Sequence, residues 1–444
     1  MKSIFLTTLS SGMKCAVMTT ASPVSYCALT TLAGTRFEPS GYAGLAHYCE
    51  HMLFKGTVRR KGYHINNRLE RLGGEINAFT TKEELVLHAT VLREDLNKAL
   101  ELISDMVLHS VFPPSEMVKE REVILDEIRS YKDSPMDLIY DRFEEKLFTG
   151  TPMSRPILGI PRELKKISST HLKDFLKERF RPEQMSLSIV GNVSPRRALA
   201  MAEKYYGKEV FQISGSGTAT GSAIAAGSAI ADETGTATGT GFAAGSVAEA
   251  GTERISLAAP SCVFDNTEKR GTYQTHCLTG SVAYGLHDKY RIPLVLLMNL
   301  MGGPASNARL NMILREKYGL VYTVEASYSP YMDTGFAGIY FGTDGPNLDR
   351  CRELTEKVIR EYATVTMTSL QVERAKKQLV GQMSITEDNH EVQCLSMGKS
   401  LLAFGNVISH EQMISMIASV TPQQVLHVAN EIWDASRRCT LVYY

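Results

Sequence analysis

The sequence has no long apolar run. No stretch of 18 consecutive apolar residues occurs in its 444 positions, which argues against any membrane-spanning helix. It has no net charge either. Lys+Arg and Asp+Glu stand at 48 each, so no strong overall field draws the chain to nucleic acid or to an anionic membrane. Paired cysteines are missing as well. The eight cysteines, at positions 15, 27, 49, 262, 277, 351, 394 and 439, include no C-x-x-C, so neither a disulfide framework nor a thiolate zinc site is indicated. Scattered thiols of this kind suit a reducing compartment. The opening MKSIFLTTLSSGMKCAVMTTAS has only a three-residue apolar run, Ile4-Phe5-Leu6, too short for a secretory signal. It is also too poor in arginine for a mitochondrial presequence. The expectation is a cytoplasmic protein with no nucleic-acid or membrane partner.

What is present is an ordinary globular composition, 43% hydrophobic and 22% charged, in a chain too long for one compact core. Residues 213–258 break that composition, with Gly, Ala, Ser and Thr dominating and no period that could bury a face. This reads as a flexible linker between an N-terminal domain, 1–212, and a C-terminal domain, 259–444. An irregular surface insertion within one domain is the alternative. The segments 168–192 and 421–444 each read as an amphipathic helix followed by a strand, a weak sign of duplication. Long amphipathic helices (92–111) mix with β-rich runs (85–92 and 334–343) without regular alternation. That pattern predicts an α+β fold with mainly antiparallel sheets packed with helices.

The chemistry concentrates in GLAHYCEHMLFKGT, residues 44–57. In a helix over 44–54, His47 and His51 lie one turn apart on one face, so both imidazoles can reach one ion. Glu50 projects from nearly the same face and can stand beside a metal without ligating it. The order H-x-x-E-H inverts the H-E-x-x-H metalloprotease motif. A catalytic zinc takes three protein ligands and keeps one position open. A third ligand is offered by MVKEREVILDEIRSYKD (117–133), where Glu120 and Glu127 are two helical turns apart and face the same way. Val123 and Ile124 lie between them on a flank able to pack. Cys49 is about 200° around the helix from this face and is expected in the core. His64, His88, His109 and His171 have no ligand spacing.

GYAGLAHYCEHMLFKGT, with GGEINAFTTKEE (73–84) and EREVILDEI (120–128), resembles the pitrilysin-type M16 metallopeptidases. The likeness extends through FRPEQMSLSIVGN to LREKYGLVY (314–322) and MDTGFAGIYFGT (332–343), covering most of the chain outside the Gly-rich stretch. It implies two homologous domains and a zinc-dependent endopeptidase. By position, His47, His51 and Glu127 would ligate zinc and Glu50 would be the general base. Glu120 would support a ligand histidine from behind, and Asn77 and Ala78 would hold the substrate backbone. Arg315 and Tyr322 match the pair that the family uses near the scissile carbonyl. On residue type alone, Arg315 is a surface charge and Tyr322 a strand residue.

The second half has no H-x-x-E-H, so one zinc per chain is expected. In the family the Arg/Tyr pair serves the metal of a partner half. One chain carrying both sets therefore implies a homodimer with shared sites, or a heterodimer with a sister subunit. Oligopeptides or unstructured polypeptides are the implied substrates. Three rivals stand beside this reading: a non-catalytic scaffold or partner-dependent subunit, a metal-dependent hydrolase of another small substrate, and a presequence-processing peptidase.

Overall fold

The computed structural model describes residues 4–215 and 263–444. The Gly-rich stretch 213–258 therefore falls outside the described residues from position 216 onward. The helix Lys208–Gly215 runs three residues past the expected boundary at 212, so regular structure continues into the first positions assigned to the linker.

The first half is a six-stranded sheet built from β1 (Ile4–Thr8), β2 (Lys14–Thr19), β3 (Val24–Thr31), β4 (Glu75–Thr80), β5 (Leu85–Leu92) and β6 (Met185–Gly191). Its order is β1-β2-β6-β3-β5-β4. The second half is a five-stranded sheet of β7 (Asp265–Glu268), β8 (Thr275–Ala283), β9 (Val321–Pro330), β10 (Gly335–Thr343) and β11 (Cys439–Tyr443), ordered β7-β11-β8-β10-β9. Each sheet is antiparallel except for one parallel pair, β2 with β6 and β7 with β11. Removing β1 makes the two orders superimpose strand for strand, β2 on β7 through β4 on β9. The duplication that helix-strand segments only hinted at is thus a matter of topology.

The helices that matter for the site and core are α1 (Leu45–Leu53), α2 (Leu96–His109), α3 (Pro114–Lys132), α4 (Pro135–Leu147), α5 (Ser169–Arg179), α6 (Arg291–Gly302), α7 (His390–Phe404) and α8 (Pro422–Ile432). The inner face of the first sheet, with Val17, Leu29, Leu87 and Ile189, packs on Tyr48, Cys49 and Met52 of α1 and on the apolar stripe of α2. Alternation along the strands sends Ala16, Ala28, Val86 and Val190 to the opposite face. There they meet Cys394, Met397 and Leu401 of α7, a helix from the second half. The exchange is reciprocal. Leu278, Phe336, Tyr340 and Leu441 on the outer face of the second sheet are covered by Leu138, Ile139, Phe143 and Leu147 of α4, from the first half. Each half lends a helix to the other, so neither sheet buries both faces alone. α5 and α8 close their halves with buried Leu172 and Phe175, and with buried Val425 and Val428.

Candidate metal centre

α1 begins at Gly44, whose φ of 95° favours glycine and whose Cα lies where a side chain would meet Gly159 and Leu164. The helix start is capped from a distance. The Glu38 carboxylate accepts from the N–H of Ala46 at 2.8 Å and of Gly44 at 3.1 and 3.2 Å. Glu38 is 3% exposed, and burial pushes its carboxyl up to about 8 against the pull of those N–H groups. The helix is tied to α3 by the Tyr48 hydroxyl, which donates to the Met117 carbonyl.

α1 and α3 bring three ligand-type side chains together. His47, His51 and Glu127 each offer one donor atom, and the three atoms lie within 4.8 Å of one another. Glu127 Oε2 is 3.8 Å from His47 Nε2 and 3.5 Å from His51 Nε2. Donors about 2.0–2.1 Å from a tetrahedral zinc stand roughly 3.3 Å apart, so this spacing fits such an ion with little movement. Burial, followed by the neighbouring His51, lowers His47 to about 3 and keeps its imidazole neutral, the form that ligates. Two imidazoles and one carboxylate are also the donor set of a catalytic zinc with an open position.

The surroundings are asymmetric. His51 Nδ1 is 3.2 Å from Glu120 Oε2, and Lys55 Nζ is 2.6 Å from Glu120 Oε1. A carboxylate at Nδ1 fixes the tautomer and leaves the Nε2 lone pair facing Glu127. His47 Nδ1, by contrast, is buried without a hydrogen-bond partner. Glu120 is 10% exposed at its side chain and Glu127 is 42% exposed, so the cluster is backed on one side and open on the other.

Glu50 stands on α1 beside this cluster without joining it. Burial raises its carboxyl above the usual carboxylate range, against the pull of Thr80 and His51. Thr80 Oγ1, at the end of β4, donates to Glu50 Oε2 at 2.5 Å. Asn77 is exposed on β4 and Ala78 is half-buried against the core, and β4 is the outermost strand of its sheet among the described residues. Cys49 is fully buried and burial holds its thiol well above the usual range.

One expectation needs correction. Val123 is 43% exposed, so only Ile124 of that pair packs: the core-facing stripe of α3 runs Met117, Glu120, Ile124, Leu125, Ile128. Among the described residues, no hydrogen bond or ion pair joins Arg315 or Tyr322 to His47, His51 or Glu127. Arg315 lies in the π-helical turn Asn311–Lys317 and pairs with its neighbour Glu316 at 3.0 Å. Tyr322 projects from edge strand β9, 75% exposed. Among the other histidines, His88 pairs with Glu391, His109 with Asp105, and His171 completes the N-terminal cap of α5.

Sequence reasoning missed Glu38, Lys55 and Thr80. Lys55 had a weak signal, its position four residues after His51. Thr80 and Glu38 had none, because their partners lie on other elements.

Comparison with known proteins is consistent from end to end. Residues 15–160 match the model for "Insulinase (Peptidase family M16)", and residues 166–379 match that for "Peptidase M16 inactive domain". A protein of Rickettsia bellii named an uncharacterized zinc protease is 30% identical, with 93% of this chain and 91% of that one aligned. One of Bacillus subtilis with the same description is 27% identical over 92% of this chain and 90% of its own length. Among solved structures, a protease from Helicobacter pylori superposes with a TM-score of 0.81 at 16% identity, covering 100% of this chain and 99% of that one. A Pseudomonas fluorescens structure titled a peptidase M16 inactive domain also reaches 0.81, at 19% identity, covering 99% and 97%. These two establish the fold. With the two family matches in sequence order and a 30% identical relative aligned along nearly its whole length, this chain belongs to peptidase family M16.

Proposed function

We propose that this chain is a zinc-dependent endopeptidase that cuts oligopeptides or unstructured polypeptides, with one zinc per chain. The observation that carries the reading is the convergence of His47, His51 and Glu127 beside a Glu50 that is not itself part of the cluster. When bound, the metal supplies a Lewis acid for the scissile carbonyl and lowers the pKa of a water towards 7. Glu50 takes the proton of the attacking water at the oxygen not held by Thr80 and returns it to the leaving amine. Burial raises its carboxyl above the usual carboxylate range, which makes it a stronger proton acceptor than a free carboxylate. His47, His51 and Glu127 would hold the ion, and Glu120 with Lys55 keeps His51 in the ligating tautomer.

The substrate lies as an added strand on the free edge of β4, its backbone held by Asn77 and the Ala78 peptide. Backbone pairing gives affinity with little demand on sequence. Tyr322 and Arg315 donate to the developing oxyanion, each donor contributing about 3–4 kcal/mol. They come from a second copy of the chain, since among the described residues of one chain they are not joined to the cluster and Tyr322 stands open to solvent. A two-fold homodimer sharing sites reciprocally satisfies this arrangement, with a sister subunit as the alternative source. Among the described residues no helix is long and apolar enough to cross a membrane, and the cysteine thiols are buried, which suits work in the cytoplasm.

The test is zinc content per chain beside cleavage of an unstructured quenched peptide, for wild type and Glu127→Gln. Near-stoichiometric zinc and cleavage in wild type, both lost in the variant, are expected. Bound zinc without cleavage in wild type would point to a sister subunit. No zinc after full remetallation would replace the peptidase reading with a scaffold.

A further inference from the structure

Glu50 is held by a residue from outside the metal-binding motif. Thr80, the last residue of β4, shares the half-buried face of that strand with Ile76 and Ala78, and its hydroxyl engages one Glu50 oxygen at 2.5 Å. Immediately after Thr80 the chain turns through residues 81–84, and this turn is clamped. Thr81 Oγ1 accepts from the N–H groups of Glu83 at 3.2 Å and Glu84 at 2.9 Å. Lys82 Nζ donates to the Arg155 carbonyl at 2.6 Å. The remaining clamp comes from the second half. The Met332 N–H donates to both Glu83 oxygens, at 3.0 and 3.1 Å. Arg36 pairs with Glu83 and donates to both oxygens of Asp333, at 2.9 and 2.8 Å. Glu83 is only 3% exposed, and these donors pair its buried oxygens.

We propose that the second half of the chain sets the orientation of Glu50 through this turn, with Thr80 as a positioning residue. The inference rests on the reading of Glu50 as the proton-transfer group. A glutamate side chain has several rotamers, and one hydrogen bond to one oxygen selects among them while leaving the other oxygen free. The donor must itself be fixed. Among the described residues, Thr80 ends an edge strand that pairs with β5 alone, so without the clamp its end would loosen. The turn at Tyr331–Asp333 supplies that clamp, which gives the metal-free half of the duplication a role in catalysis at the first half's own site. Small misplacements of a reacting group are costly, up to about 10²-fold for 1 Å.

The test combines kinetics with hydrogen exchange on Thr80→Val, Thr80→Ser, Asp333→Ala, the Thr80→Val/Asp333→Ala pair and Glu50→Gln. Asp333 is exposed, so its replacement spares the core. Thr80→Val should lower kcat by about 10- to 100-fold, the value of a hydrogen bond to a charged group, with KM and zinc affinity unchanged. Thr80→Ser should restore most of it. Asp333→Ala should speed amide exchange over residues 77–84 in the metal-free chain and lower kcat less than Thr80→Val does. The double variant should be no slower than Thr80→Val alone, because both act through one contact. A wild-type kcat in Thr80→Val, strictly additive losses, or unchanged exchange in Asp333→Ala would each overturn the proposal. An inactive Glu50→Gln beside a fully active Thr80→Val would sink this proposal alone. A fully active Glu50→Gln would overturn the assignment of the base, and this inference with it.

Discussion

The two halves use one topology for different ends, and α1 and α6 show how. Each follows the corresponding central strand, β3 or β8, and packs on the inner face of its sheet. α6 reads RIPLVLLMNLMG and buries Leu294, Leu296, Leu297 and Met301. α1 reads LAHYCEHML and keeps the buried positions Tyr48, Cys49 and Met52 while giving one face to His47, Glu50 and His51. A helix whose apolar stripe is already sufficient can carry polar residues on a second face at no cost to the core. The edge strands diverge in the same way. β4 carries Thr80 to the Glu50 carboxyl, whereas its counterpart β9 offers an exposed Tyr322. One half became a site and the other a support, with the outer faces of both sheets kept interdependent.

The comparison can be broken most sharply at the base. Glu50→Gln should retain zinc and lose about 10²–10⁴-fold in kcat, the range for a positioned acid–base group. Metal analysis run beside a peptide-cleavage assay checks both halves of that statement. Zinc loss with unchanged turnover per bound metal would remove Glu50 from the reaction. Next in size is the exchange of helices. Phe143→Ala, in a fully buried position under the second sheet, should cost about 3–5 kcal/mol. Denaturant unfolding followed by probes in both halves should show one coincident transition, shifted as a whole. Two separated transitions would mean that the halves fold independently despite α4 and α7.

A smaller effect concerns the support residue. Tyr322→Phe should lower kcat by about 10²-fold or somewhat more. Mixing it with Glu50→Gln chains should restore part of the activity if sites are shared between copies. Mixed variants that stay inactive would exclude a site completed by a second identical chain. The smallest expected effect tests the helix cap. Glu38 has a carboxyl raised from its ordinary 4.5 to about 8 by burial. A raised carboxyl contributes stability that is full below the unfolded value and is lost as pH rises through the folded one. Wild-type Tm should therefore decline as pH rises towards and through about 8, and Glu38→Gln should flatten that decline. An unchanged pH profile in the variant would assign the decline to other groups.

Much of the site was legible because it is local. His47, Glu50 and His51 are fixed relative to one another by the helical period alone, and Glu120 and Glu127 by the same period on a second helix. Pairing the two helices was not a local matter. It rested on family resemblance in the sequence and on the Tyr48–Met117 contact and a shared core in the structure. Thr80 and Glu38 escaped for the same reason. Each acts on α1 from another element, and no spacing rule connects residues 30 or 8 positions apart across a turn. Val123 was misjudged because a one-residue difference on a helix rotates a side chain by about 100°, enough to move it from core to solvent.

The class of fold, most of the apolar faces, the H-x-x-E-H geometry within α1 and the absence of a second such motif could be read from the order of residues alone. These follow from short-range periodicity, which backbone geometry imposes on any chain. Only the tertiary structure decided that α4 and α7 cross between halves, that the strand orders repeat, and that the turn Tyr331–Asp333 clamps the strand carrying Thr80. Those contacts join residues up to several hundred positions apart. They are selected by the burial of whole faces and the pairing of buried charges, neither of which leaves a periodic trace in the sequence.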